Sequence, residues 1–236
     1  MSEVQQNTPS IGSKRAAAAE ATAATLFYLL VAFAGLRLLD ISAALSWLTG
    51  AEAEVVSGFL VGAMGQIAAI GLLWFVFRPA DLDRSIAATR VSSNAEGWFI
   101  GLVIIAVEAA VMFGLVLDVG WRALEPSAVN ITGSIAPLMD GVTQEVFFRG
   151  YLILRLARGG YGPFGQLLFS SVAFSAIHVG YVGEGWSEAL PPLLGTMGLG
   201  AALGWAFIRG GYSLRPPIVA HVVILVLIQP WLALAR

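Results

Sequence analysis

The chain has 236 residues, 58% of them hydrophobic and 12% charged, with a formal net charge of -2 and a mean hydropathy of +0.81. A soluble domain of this size cannot hide so much apolar surface, so lipid has to act as solvent for much of it. The near-neutral charge gives no basis for a nucleic-acid partner, and the absence of cysteine excludes disulfides and thiol chemistry.

Residues 1–18 are polar and Ala-rich and read as a disordered N-terminal tail, leaving residues 19–236 as a single membrane domain. Lys14 and Arg15 precede an apolar stretch that runs too long for a signal peptide and lacks a convincing cleavage site. It is expected to persist as the first span. A spanning helix needs about 20 apolar residues. Seven windows qualify, at about 19–39, 55–78, 97–118, 134–154, 163–182, 189–208 and 217–235. The expected fold is therefore all-α, a polytopic transmembrane bundle of about seven spans. Residues 41–50 are too short to cross and suit the interface.

Placing the N-terminus inside puts Lys14, Arg15, Arg78, Arg84, Arg90, Arg155, Arg158, Arg209 and Arg215 in inner segments. Arg37, Arg122 and Arg236 then fall outside, and Arg149 lies within a span. Nine inner cations against three outer ones favour a cytoplasmic N-terminus and an external C-terminus. The sixth window carries a GxxxG step at Gly200 and Gly204, which reads as tight helix packing.

Ionisable groups within spans are costly and point to sites. Glu108 sits in the third window; Asp140, Gln144, Glu145 and Arg149 in the fourth; His178 in the fifth; His221 in the seventh. Glu145 and Arg149 have the i, i+4 spacing and order of a helical ion pair. Asp140 and Gln144 share another helix face, and Asp140 reads as a solvated residue near the outer half of its helix. Glu108 is open to three readings: a salt bridge with Arg149, a place in the same cavity, or a protonated acid in lipid. Two histidines on different helices, together with a carboxylate and an amide, point to one shared polar site.

Residues 144–150 read QEVFFRG, 174–178 read FSAIH and 213–221 read SLRPPIVAH. In order and spacing these resemble the three motifs of the CPBP family of intramembrane proteases: EExxxR, FxxxH, and HxxxN or HxxxD. The motif region covers about 134–229 of this chain. The family includes CAAX endopeptidases acting on prenylated proteins and Abi-type bacteriocin-processing or immunity proteins. The resemblance implies a helical bundle with a CAAX-protease-like core and peptide hydrolysis as its chemistry. It puts Gln144 where the water-activating Glu belongs, assisted by His178. It puts His221 and Leu225 where the oxyanion is held, with Glu145, Arg149 and Phe174 as the remaining motif positions.

Two of these positions depart from the family pattern. Gln144 replaces the first Glu, and an amide orients a water but cannot take its proton. Leu225 replaces the Asn and donates nothing. Three explanations stand. The chain binds what its relatives cut, as an immunity, regulatory or partner-binding module. Or another carboxylate (Glu145, Asp140 or Glu108) serves as base. Or Gln144 is an engineered change, which would leave Leu225 unexplained. Glu145, His178 and His221 also form a candidate two-His, one-carboxylate set for zinc. The resemblance further implies a bacterial inner (plasma) membrane location, with the bilayer and a peptide or membrane protein as partners. A proton-coupled transporter is the third class of function, but it predicts internal repeats that the sequence lacks.

Overall fold

The computed structural model describes residues 11–38, 41–45, 47–48, 50–77, 80–115, 128–178 and 185–234. Residues 1–10 of the expected tail, Arg78, Arg122 and Arg236 lie outside them. The described residues are all-α. In chain order they form α1 Ile11–Leu38, a 3-10 turn Ser42–Leu45, α2 Gly50–Phe77, α3 Ala80–Ala88, α4 Ala95–Leu115 and α5 Ala128–Glu145. A π segment Val146–Ile153 follows, then α6 Leu154–Arg158, α7 Pro163–Ala176, α8 Trp186–Arg209 and α9 Arg215–Leu234.

Among the described residues, three stretches are long and apolar enough to cross a membrane: Ser13–Ala32, Glu52–Val76 and Ala189–Arg209. Helix α1 begins within the segment expected to be a tail. The run Ala16–Ala19 has the highest helix propensity available, and Ala17 is fully buried, so residues 11–18 are helical. The fifth window also ends early. Helix α7 has 14 residues, about 21 Å at the helical rise. It closes in a turn where the His178 N–H donates to the Ser175 carbonyl at 2.9 Å. The remainder of that window lies outside the described residues.

Helix α5, the π segment and α6 form one continuous axis of the bundle. Helices α2 and α9 pack along α5, α3 and α7 pack along the π segment, and α1 runs against α2 and α6. Helix α4 sits on the outside of α8 and α9. Gly141 lets α5 approach α9 closely. A Cβ there would lie 2.7 Å from Val222 Cγ2 and 3.3 Å from Val222 Cα. One turn beyond Gly141 is Glu145, and next to Val222 is His221, so this backbone contact brings the two together.

Buried rings link the layers. Tyr28 of α1 stacks on Phe147 with centroids 4.4 Å apart. Phe147 meets Phe148 edge-on at 4.9 Å, and Phe148 meets Phe174 of α7 at 5.4 Å. At the other end of α1, the Glu20 carboxylate holds Arg155 at 2.7 Å and accepts from the Tyr151 hydroxyl at 3.2 Å.

Candidate functional site

The site is built around Glu145, the last residue of α5. Its Oε1 accepts from His221 Nδ1 at 2.7 Å and lies 2.9 Å from Arg149 NH1. Glu145 and Arg149 are both fully buried, and His221 is 1% exposed. Such a pair survives away from water only when its members neutralise and hydrogen-bond one another. Paired with the guanidinium, Glu145 acts as a carboxylate, so His221 Nδ1–H is the donor. The second oxygen, Oε2, is buried and accepts no hydrogen bond among the described residues. This carboxylate therefore keeps unused acceptor capacity.

Arg149 is held from two further sides. Its NH2 donates to the Gly200 carbonyl of α8 at 3.1 Å, and its Cζ stands 4.4 Å over the Phe174 ring. Phe174 organises the rest of the site. His178 and His221 both meet its ring edge-on, with centroids 5.4 Å and 5.5 Å away. His178 Nδ1 sits 3.2 Å from the Phe174 carbonyl. His178 itself lies in the turn that closes α7.

Helix α5 carries Gln144 and Asp140 on a face next to that of Glu145. Both are buried, at 6% and 8% exposure. Asp140 was expected to be solvated, but α5 is flanked by both α2 and α9, which leaves little of this face in contact with solvent. Close to it, Gln66 Oε1 accepts from the Tyr28 hydroxyl at 3.0 Å and from Thr143 at 3.4 Å. Leu225, one turn after His221 on α9, is half-buried. Glu108 is half-buried on α4, which packs on α8 and α9; the charge partner of Arg149 is Glu145, not Glu108.

Glu145, His178 and His221 do not gather as a metal site. No cluster of three His, Cys, Asp or Glu side chains suited to a metal ion occurs among the described residues.

Sequence reasoning missed two participants. Gly200 serves Arg149 through its carbonyl, for which a glycine in a packing motif gives no signal. The π segment that begins directly after Glu145 has no hydrophobic period distinct from that of an α-helix. Such segments recur at functional sites, and the packed Phe147–Phe148 pair was its nearest trace in the sequence.

Residues 126–227 match the family model described as type II CAAX prenyl endopeptidase, Rce1-like. No curated protein and no solved structure matches the chain. The matched region contains Gln144, Glu145, Arg149, Phe174, His178, His221 and Leu225. Over residues 126–227, 102 of its 236 residues, the chain is similar to the Rce1-like family of CAAX prenyl endopeptidases.

Proposed function

We propose that the chain is a CAAX-protease-type intramembrane endopeptidase, catalytically weakened, that hydrolyses a membrane-associated or prenylated peptide. The observation that carries this reading is the buried chain His221–Glu145–Arg149, with Phe174 touching Arg149 and both histidines. In this reading Gln144 and His178 hold the attacking water, and His221 faces the oxyanion that forms on the scissile carbonyl. Glu145 fixes the imidazole through Nδ1, so Nε2 is the nitrogen left to serve the substrate. To donate there as well, the ring has to carry both protons. A non-proteolytic binding role is the second reading, favoured by the two substitutions Gln144 and Leu225.

The test is cleavage of a prenylated, membrane-inserted peptide by the purified full chain in detergent. Slow or marginal cleavage that His178→Ala and His221→Ala abolish is expected. Brisk cleavage that survives His178→Ala would put the chemistry elsewhere.

The bundle that houses this site is read as one membrane domain, residues 19–236, with seven spans and a cytoplasmic N-terminus in a bacterial inner membrane. The chain has no cysteine, so single cysteines report topology without background. A cysteine at position 186, where Trp186 is strongly exposed, should react with an impermeant thiol reagent added from outside. Reaction only from the cytoplasmic side would reverse the orientation.

A further inference from the structure

We infer that residues 85–97 form a strap that sets the height of the Glu145 helix against the His221 helix, with Ser85 as its positioning residue. The strap lies outside the family-matched region and runs from the second half of α3 into the first turn of α4. At one end, the fully buried Ser85 hydroxyl donates to the Val146 carbonyl, the first residue of the π segment, at 2.5 Å. It occupies the notch that Gly150 leaves open, where any Cβ would overlap Ser85 Oγ. From the opposite flank, Ser170 of α7 donates to the Phe148 carbonyl at 2.8 Å. Two serines thus hold π-segment carbonyls immediately beyond Glu145.

At its other end the same stretch grips the start of α9. The Leu214 N–H donates to the Ala88 carbonyl at 3.2 Å, and Ser213 Oγ to the Val91 carbonyl at 2.7 Å. Arg215 donates to the carbonyls of Thr89 and Arg90 at 3.1 Å and 3.3 Å. Further along, Asn94 Nδ2 donates to the Arg209 carbonyl at 2.9 Å, and Glu96 pairs with Arg209 at 2.6 Å. The chain from Ser85 to Val91 is therefore bonded to both helices whose side chains meet in the Glu145–His221 contact at 2.7 Å. A slip of one residue along either helix is about 1.5 Å, enough to break that contact. The interlocked carbonyl contacts of the strap oppose the slip.

The two histidines are the only ones in the chain, so histidine-selective nitrogen labelling gives one set of ring signals for each. In the full chain in lipid nanodiscs, Ser85→Ala removes the donor without adding volume. It is expected, like Glu145→Gln, to displace the His221 ring signals and to leave those of His178 in place. Ser213→Ala, at the other end, should act in the same direction, which covers the case in which Ser85→Ala does not fold. Thr89→Ala keeps its carbonyl and serves as the silent control. Unchanged His221 signals in both serine variants, or equal displacement of both histidines, would overturn the strap. The catalytic consequence rests on the peptidase reading: in a Gln144→Glu background, Ser85→Ala should lower kcat by up to about 10²-fold at unchanged KM, the size of effect that small misplacements produce. The nitrogen signals need no turnover, so failure of the peptidase reading and failure of the strap are told apart.

Discussion

Arg149→Ala is expected to destabilise the fold by roughly 3–5 kcal/mol, the typical cost of stranding one member of a buried ion pair. Arg149 is the largest fully buried side chain, and Glu145 beside it is also at 0% exposure. Removing the guanidinium leaves the carboxylate with His221 alone, withdraws the donor from the Gly200 carbonyl and opens a void over Phe174. All three effects have the same sign. Thermal melts of the detergent-solubilised chain, together with folded yield, read the outcome. The double variant Glu145→Leu with Arg149→Met should recover part of the loss, because a buried apolar pair carries no uncompensated charge. Arg149→Ala accumulating and melting like the wild type would remove the pair from the stability account.

The parts of this arrangement that local patterns encode were legible in the sequence. Helical windows follow from apolar length, so each of the seven windows holds a helix. The Glu145–Arg149 contact follows from one helical turn. The close packing at Gly200 follows from small residues, and its backbone does lie against Phe174 and Ser171. What stayed hidden is tertiary. Nothing local says that the oxygen paired with Arg149 is also the acceptor for an imidazole 76 residues further on. The end of α7 at Ala176 was equally hidden, because Ile177, Val179 and the residues around them keep the composition apolar past the point where the helix stops. Equally, nothing local places His178 and His221 against one ring, that of Phe174. The strap escaped for another reason. Apart from the Glu96–Arg209 pair, its bonds run from side chains and N–H groups to backbone carbonyls, and carbonyls leave no mark in a sequence.

Gln144→Glu is expected to raise peptide cleavage, because the change restores a proton acceptor at nearly constant shape. A positioned general base is worth about 10²–10⁴ in rate, which bounds the gain. Glu145 is a poor stand-in for that base: the oxygen next to His221 is shared with Arg149, and the residue is wholly buried. Asp140, one turn before Gln144 on the same face, is the better placed alternative. Asp140→Asn in the wild type therefore decides whether any residual cleavage depends on it. The gain from Gln144→Glu should be partial, since Leu225 leaves the oxyanion one donor short. A missing donor of that kind costs about 10²–10³ in rate. Leu225→Asn should add activity only once position 144 is Glu, and it places a polar amide on a half-buried stretch of α9, so folded yield has to be measured beside it. Four chains settle the matter: wild type, each single variant and the double, assayed on one prenylated membrane peptide. A Gln144→Glu chain that folds, keeps the His221–Glu145 contact and still cleaves nothing would leave the binding role as the standing reading. Wild-type cleavage as fast as that of Gln144→Glu would show instead that the proton leaves by another group.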